Sequence, residues 1–237
     1  MNETSLGFVL KVNPYKEYDA LVFTFLKEYG KVTFLYRGYF KSQSKMLSKG
    51  LNYTLYEFRF NYREEGLLNP IEVTSIQSFS KLLLSPQKAS LAQIIDTIYL
   101  ALDHHDQPSD LYALYYSYLS ALESARYDEL LVLSLLLSEL LHYLGLSPFV
   151  DGAINSKEEK VNDFSIKLGG FVLEPHKSLF SLEELKQIRY IYKGRLKDLD
   201  KLKEFSVNRK LMNLFIEFFE FHTSIKLNSY SVYQQLG

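Results

Sequence analysis

The sequence predicts an α+β protein in which a small barrel of five β-strands, at residues 1–79, is followed by a mainly α-helical domain at residues 80–237. Two observations lead to this prediction. Up to about residue 77 the chain consists of short segments rich in β-branched and aromatic residues, which are typical of strands. After residue 78 the apolar residues recur at helical spacing. A chain of 237 residues is long enough for two domains of ordinary size.

The strand segments are GFVLKV, ALVFTFLKEYGKVTFLYRG, LNYTLYEFRFNYREEGLL and IEVTSIQ. Gly30 and Gly66 stand near the ends of polar stretches and indicate hairpin connections, so these segments hold about five strands. Apolar and polar residues alternate only partly in YTLYEFRFNYR, which predicts a bulge or bend. Five short strands suit an OB-fold, and an SH3-like barrel is the main alternative.

Start and stop signals divide the second part into helices. Ser85 before a proline is typical of an N-cap, and further helices are predicted over residues 109–125 and 128–143. The helix over residues 128–143 is apolar almost all round, so we expect it at the centre of a bundle. Ser181 opens a capping box, and a last helix is predicted over residues 208–225.

The sequence offers no enzyme active site. Zero Cys excludes disulfides, thiolate metal ligands and a Cys nucleophile. No P-loop occurs, Gly169–Gly170 lacks the spacing of a dinucleotide fingerprint, and the five histidines lack metal-ligand spacing. The His104–His105 pair beside a proline is interpreted as a linker. We therefore expect a binding protein without catalytic activity or cofactor.

Positive charge is concentrated between residues 27 and 63, where the net charge is +6 in a chain whose total is -1. Arg37, Lys41 and Lys45 stand four residues apart, which keeps side chains on one face of either a strand or a helix. In an extended segment this interval is about 13 Å, near two phosphate steps of a stretched single strand. Cations in such a row displace counterions from nucleic acid. Any solvated loop shows similar composition, so both interpretations stay open.

Neighbouring side chains add to the nucleic-acid interpretation. Ser42 and Ser44 are able to donate to phosphate oxygens, and Tyr39 and Phe40 are able to stack on bases. Tyr36 offers a ring as well, although it also fits the core. The predicted DNA-binding residues are Lys31, Arg37, Lys41, Ser42, Lys45 and Lys49.

The stretches GFVLKVNPYKEYD, EYGKVTFLYRGYFKSQSK, LGLSPF, FSIKLGGFVLEP and LFIEFFEFHTSIKLNSY follow one another along the chain. Together they resemble the bacterial recombination mediator family RecO from end to end. The matching positions include Tyr15, Glu17 and Asp19 of a Y-x-E-x-D motif and Glu28, Gly30 and Lys31 of an E-x-G-K motif.

The resemblance implies an OB-fold with a helical domain, binding of single- and double-stranded DNA, and annealing of complementary strands. It also implies partnership with RecR and with the C-terminal tail of the single-strand-binding protein (SSB) while RecA is loaded. A cytoplasmic location in a bacterium follows, with association with the nucleoid during repair. We expect no membrane contact, because the sequence shows no secretory leader and no apolar run of spanning length.

The irregular region at residues 147–178 departs from the family pattern. Many RecO proteins carry a zinc site there, written as two C-x-x-C pairs, whose positions fall near Ala153, Ser156, Leu173 and His176. Three of these residues are unsuited to a structural zinc, and one His alone does not hold it. We therefore expect a zinc-finger-like insertion without metal.

Two alternatives to a DNA-binding mediator remain. One is a protein-interaction scaffold with little DNA affinity, and the other is an OB-fold that binds RNA. Arg37, Lys41 and Lys45 on one surface favour DNA binding, whereas cations spread over several faces favour the scaffold.

Overall fold

The computed structural model describes residues 2–63, 66–102, 108–156, 160–174 and 178–236. His104, His105 and His176, which the sequence analysis considered, lie outside the described residues. The chain divides into two compact units, one formed by residues 1–123 and 228–237 and the other by residues 124–227. The first unit thus contains the whole strand region together with helices from both ends of the second part of the chain.

Five strands of the first unit form a barrel: β1 (Asn2–Tyr15), β2 (Asp19–Leu26), β3 (Gly30–Tyr36), β4 (Thr54–Asn61) and β5 (Pro70–Ser78). Their order is β3-β2-β1-β4-β5, and each neighbouring pair is antiparallel. A parallel bridge between Phe34 of β3 and Leu68, two residues before β5, joins the ends of the sheet. A five-stranded, partly open barrel of this order is an OB-fold, so the predicted α+β class and OB-fold are confirmed.

Bulges bend the strands around the barrel. The register of β4 against β5 shifts between Leu55 and Tyr56 and again between Arg59 and Phe60, which confirms the irregularity expected in this strand. The register of β1 against β2 shifts after Val9. Extra residues of this kind increase twist and let a short sheet close on itself.

The barrel interior is aromatic. Phe34 and Phe58 stack with ring centroids 5.2 Å apart, and Phe60 meets Phe34 edge-on at 5.3 Å. Val9 and Val22 complete this layer and are also fully buried. Because alternate residues of each strand point inward, the β-branched and aromatic residues that predicted the strands also form the core.

Seven helices lie within the described residues: α1 (Pro86–Ala101), α2 (Pro108–Ser124), α3 (Glu129–Tyr143), α4 (Leu182–Lys193), α5 (Leu199–Leu202), α6 (Arg209–Thr223) and α7 (Asn228–Leu236). The predicted starting signals are confirmed. The side chains of Ser85, Asp128 and Asn208 accept hydrogen bonds from backbone amides of the first turns of α1, α3 and α6. Ser181 and Glu184 form the full capping box of α4. None of these helices is long and apolar enough to cross a membrane.

Helix α3 is the central helix of the second unit. From Leu130 to Leu141 every residue except Glu139 is buried, and α3 packs against α4 and α6. The prediction that this apolar helix is central to a bundle is confirmed.

The prediction that the last helix covers residues 208–225 is wrong in one respect, because a further helix follows. Ser224 adopts a left-handed conformation with φ 61° and ends α6, and the chain then enters α7. Helix α7 packs against α1, and the Gln87 amide donates a 2.9 Å hydrogen bond to the Leu236 carbonyl. Its sequence, NSYSVYQQL, is polar and carries little helical pattern of its own, so tertiary packing stabilises it.

The irregular region at residues 147–178 contains a small hairpin that the sequence did not predict, formed by β6 (Asp163–Ser165) and β7 (Gly170–Val172). Phe149 forms an isolated parallel bridge with Gly170, and a Cβ at Gly170 would lie 2.1 Å from the Phe149 carbonyl oxygen. Glycine is therefore required where these two backbones meet. Phe164 of β6 and Phe171 of β7 are buried.

Candidate nucleic-acid interface

The segment between β3 and β4, residues 37–53, carries five of the six predicted DNA-binding residues. We call it the β3–β4 connection. It contains turns and one short 3-10 helix at Leu47–Lys49, and it is neither a strand nor a regular helix. The four-residue spacing of its cations therefore does not place them on one face by periodicity, and their positions depend on how the connection is anchored.

Three buried tyrosines anchor the end of the connection. The hydroxyls of Tyr39, Tyr56 and Tyr36 donate to the successive carbonyls of residues 47, 48 and 49, at 3.4, 3.0 and 3.3 Å. The Tyr56 hydroxyl also accepts from the backbone amide of Leu51 at 3.1 Å. Burial raises the pKa of each of these three phenols, so they keep their protons and remain donors.

The start of the connection is tied to the turn between β1 and β2. Gly38 adopts a left-handed conformation with φ 65°, and its amide donates to Oδ1 of Asp19 at 2.8 Å. Two residues later the Phe40 amide donates to the Tyr18 carbonyl at 2.9 Å. Asp19 and Gly38 both belong to the stretches that carried the family resemblance, and the structure gives them an architectural role.

The last part of the connection is fixed to helix α1 through a buried carboxyl. The Asn52 amide donates to the Leu10 carbonyl at 3.1 Å and to Oδ2 of Asp96 at 3.2 Å. The Tyr115 hydroxyl donates to Oδ1 of Asp96 at 2.5 Å. Burial raises the pKa of Asp96 to about 7, although the hydrogen bonds from Tyr115, Asn52 and Tyr53 oppose the rise.

With both ends held, the connection presents its cations to solvent. Arg37, Lys41, Ser42 and Lys45 are exposed, and Lys49 is half-buried. Among the described residues no carboxylate lies within ion-pair distance of Arg37, Lys41 or Lys45, whereas other cations of the basic region are paired, as Arg59 is with Glu72 at 3.0 Å. All three cations stand on the β3–β4 connection, which follows the end of β3.

Lys31 is separated from this group. It lies at the start of β3, six residues before Arg37, which is about 20 Å along an extended strand. Its ammonium group donates to the carbonyl of Leu100 in the last turn of α1 at 3.2 Å. A cation at that position satisfies an unpaired carbonyl and interacts favourably with the helix dipole.

Two aromatic rings near these cations are exposed, and only one of them, Phe40, was predicted from the sequence. Tyr36 and Tyr39 are buried by the connection and are unable to stack on a base. Phe40 is 43% exposed, and Tyr18 of the adjacent turn is 45% exposed. The Lys41 ammonium lies 5.9 Å from the centre of the Tyr18 ring. Sequence reasoning missed Tyr18, although its place beside Asp19 in the turn was the available signal.

Three of the four predicted zinc-site positions are described, and among them Ser156 is half-buried. Ala153 is buried, and the Leu173 amide donates to Oδ1 of Asn155, whose amide group donates back to the Leu173 carbonyl. Asn162 makes the same reciprocal pair with the amide and carbonyl of Glu174, at 2.8 and 2.9 Å. We call these two pairs the asparagine clamps. Within the described part of the chain no three His, Asp or Glu side chains group as metal ligands.

The barrel, its anchored connection and its unpaired cations define an OB-fold protein with a helical second part. Two family models match the chain: "Recombination protein O N terminal" over residues 1–79 and "Recombination protein O C terminal" over residues 87–231. The chain therefore belongs to the RecO family of DNA repair and recombination proteins, and the resemblance found in the sequence is confirmed.

Curated relatives agree with the family models. The protein named DNA repair protein RecO of Lactobacillus acidophilus is 27% identical over 172 residues, which cover 72% of this chain and 68% of the relative. Its namesake in Caldanaerobacter subterraneus subsp. tengcongensis is 24% identical over 210 residues, covering 83% of this chain and 82% of the relative. The namesake in Thermoanaerobacter sp. is 27% identical over 216 residues, covering 85% and 83%.

Proposed function

We propose that this chain is a DNA-binding recombination mediator that holds a DNA backbone along its β3–β4 connection. The observation that carries the proposal is that Arg37, Lys41 and Lys45 of the connection are all exposed and have no ion-pair partner among the described carboxylates. Phosphate oxygens are the complementary ligands, and release of condensed counterions supplies the binding free energy. The exposed rings of Tyr18 and Phe40 add stacking surfaces that do not depend on base sequence.

Family membership supports the finer parts of the proposal. The chain anneals complementary strands and, together with RecR, helps to load RecA onto DNA covered by SSB, whose C-terminal tail it binds. It binds both single- and double-stranded DNA in the bacterial cytoplasm and acts by binding, without catalytic turnover. The experiments below distinguish this function from the two alternatives, which are a protein-interaction scaffold and an RNA-binding protein.

The deciding experiment is a titration of labelled single-stranded DNA, followed by fluorescence anisotropy across a salt series. The variant Arg37→Ala/Lys41→Ala/Lys45→Ala removes three phosphate contacts. Each contact on a single strand contributes about 0.7 to the slope of log K against log salt, so the slope should flatten by about two units. A parallel titration with RNA of the same sequence tests the preference for DNA.

The matched control removes the same charge elsewhere. Lys167, Lys197 and Lys203 are exposed lysines of the second unit, and their triple alanine variant should keep the wild-type slope. Lys31→Ala, examined alone, separates helix capping from DNA contact: a lower thermal midpoint with an unchanged slope assigns Lys31 to the helix. The proposal is overturned in favour of the scaffold if wild type fails to bind DNA. It is also overturned if the variant Arg37→Ala/Lys41→Ala/Lys45→Ala binds DNA as well as wild type does.

A further inference from the structure

Among the described residues one bridge links β3 to the segment that leads into β5, and the pairing stops at a proline. At the Phe34–Leu68 bridge the Leu35 amide donates to the Leu68 carbonyl at 2.7 Å, and the Leu68 amide donates to the Thr33 carbonyl at 3.0 Å. In a parallel ladder the next donor is the amide two residues after Leu68. That residue is Pro70, which has no N–H group, so the ladder ends.

Where the ladder ends, the carbonyl of Leu35 in β3 faces a residue that has no N–H group. The N–H and C=O groups of one strand residue point to the same side, and the N–H of Leu35 points towards β5. The Leu35 carbonyl therefore faces β5 as well, opposite the ring of Pro70 instead of an amide. Among the described residues no backbone amide from the β5 side donates to this carbonyl, so a ligand is able to supply the missing donor.

A cleft of about 370 Å³ opens at this place, lined by Leu35, Tyr36, Arg37, Met46, Asn69 and Pro70. Arg37 and Met46 come from the β3–β4 connection, and Asn69 directly precedes β5. The side chains of Met46, Asn69 and Pro70 are half-buried, and the cleft between them is shallow and open to solvent. Its volume lies at the small end of the range of about 300 to 1,000 Å³ that is typical of ligand pockets.

The lining combines flat apolar surface with a few hydrogen-bonding groups. Met46 and Pro70 offer apolar walls, and a thioether adapts readily to the face of an aromatic ring. Arg37 provides donors, Asn69 provides both a donor and an acceptor, and the Leu35 carbonyl provides an acceptor. A planar heterocycle with ring acceptors and an amino group matches this set. A phosphate does not, because it would face one cation, a carbonyl oxygen and apolar walls.

We propose that this cleft takes one unstacked nucleobase of a single strand whose phosphates lie on the β3–β4 connection. The inference rests on the proposed function and deepens it, since it gives the barrel a contact that duplex DNA, with its bases stacked and paired, does not make. Arg37 stands at the border between the two surfaces, where it reaches both the base in the cleft and the phosphate beside it.

The test compares an ordinary single-stranded oligonucleotide with one of the same length whose central residues are abasic. Both strands keep the same phosphates, so the ratio of their affinities reports on the bases alone. Asn69→Phe fills the cleft, and this ratio should fall about five- to tenfold from the wild-type value while the salt slope stays the same. Thr74→Phe places the same ring on an exposed position of β5 and should leave the ratio unchanged.

Three outcomes are informative. A fall in the ratio for Asn69→Phe alone supports the cleft as a base site. An unchanged ratio in a folded Asn69→Phe variant overturns this inference and leaves the proposed function standing, whereas failure of wild type to bind either strand at low salt overturns both. If Asn69→Phe does not fold, Met46→Ala and Asn69→Ala test the same prediction by removing a wall and a hydrogen-bonding group.

Discussion

The backbone amide of Gly38 donates a 2.8 Å hydrogen bond to Oδ1 of Asp19, and this bond ties the β3–β4 connection to the turn between β1 and β2. Gly38 has φ 65°, a conformation that side chains with a Cβ rarely adopt. The two residues therefore set the direction in which the connection leaves β3. A binding surface that is already ordered before the ligand binds loses less conformational entropy, and therefore binds more tightly, than one that must become ordered on binding.

Asp19→Ala should loosen the connection and weaken DNA binding. It removes the acceptor of the Gly38 amide, so hydrogen exchange should become faster at residues 38–41 and single-strand affinity should fall several-fold. Hydrogen exchange followed by mass spectrometry, together with anisotropy, measures both effects.

Glu17→Ala is the matched control for Asp19→Ala. Glu17 is exposed two residues earlier in the same turn, and its replacement removes the same negative charge without removing the anchor. Loss of a carboxylate beside a phosphate-binding surface should raise affinity slightly in this control. Equal affinities for the two variants would contradict the role assigned to the Asp19–Gly38 bond.

Tyr56→Phe should destabilise the first unit. The variant removes the hydrogen bonds that the Tyr56 hydroxyl makes with the Ser48 carbonyl and the Leu51 amide, and each such bond contributes about 0.5 to 1.5 kcal/mol. Urea unfolding measures the free energy, and limited proteolysis should show faster cleavage near residues 47–51. Tyr62→Phe, at a 41% exposed tyrosine directly after β4, is the control and should leave both quantities unchanged. Similar unfolding curves for Tyr56→Phe and Tyr62→Phe would show that the Tyr56 hydroxyl does not anchor the connection.

Asp96 should make stability depend on pH. Its pKa rises from the ordinary value of 3.8 to about 7 in the folded protein, mainly through burial. Between these values the folded protein keeps a proton that the unfolded chain has lost. The free energy of unfolding that this group contributes therefore falls as pH rises from about 4 to about 7, by about 1.4 kcal/mol per unit of pKa difference at most.

Asp96→Asn stays neutral and should remove this part of the pH dependence. Urea unfolding at pH 5 and pH 8 should show the variant gaining on wild type at the higher pH. Asp110→Asn, at an exposed carboxyl in the first turn of α2, serves as control. Parallel pH profiles for wild type and Asp96→Asn would show that the carboxyl keeps its ordinary pKa in the folded chain.

Local signals in the sequence were enough for the elements that depend on local chemistry. The helix starts at Ser85, Asp128 and Ser181 were predictable because an N-cap side chain bonds to the backbone in the first turn of the same helix. The α7 helix carried no such signal, since its partner α1 lies more than a hundred residues earlier in the chain. Tertiary packing of this kind outweighs local propensity and is not visible in a window of sequence.

The candidate interface also has some features that local sequence predicts and others that depend on tertiary contacts. Charge counting located the β3–β4 connection, because the positive residues are close together in sequence. It did not separate Lys31 from the rest, since the contact of Lys31 with Leu100 spans 69 positions of sequence. Nor did it show that Tyr36 and Tyr39 are turned inward while Tyr18 and Phe40 face solvent, which depends on the hydrogen bonds that hold the connection.

Asn162→Ala should loosen the irregular region of the second unit. The side chain pairs with both the amide and the carbonyl of Glu174, so the variant removes two hydrogen bonds, each contributing about 1 kcal/mol. Asn162→Asp keeps an acceptor but loses the donor and should cost about half as much. Urea unfolding gives the order of the three proteins, and an Asp variant as unstable as the Ala variant would contradict the reciprocal pairing.

The asparagine clamps also bear on the conditions in which a DNA repair protein works. Sites that hold zinc through thiolates are opened by chelators, and exposed thiolates are attacked by peroxides. A side-chain amide exchanges neither a metal ion nor an electron under these conditions. Asn155 and Asn162 thus hold the backbone of Leu173 and Glu174 with groups that a chelator or a peroxide leaves unchanged.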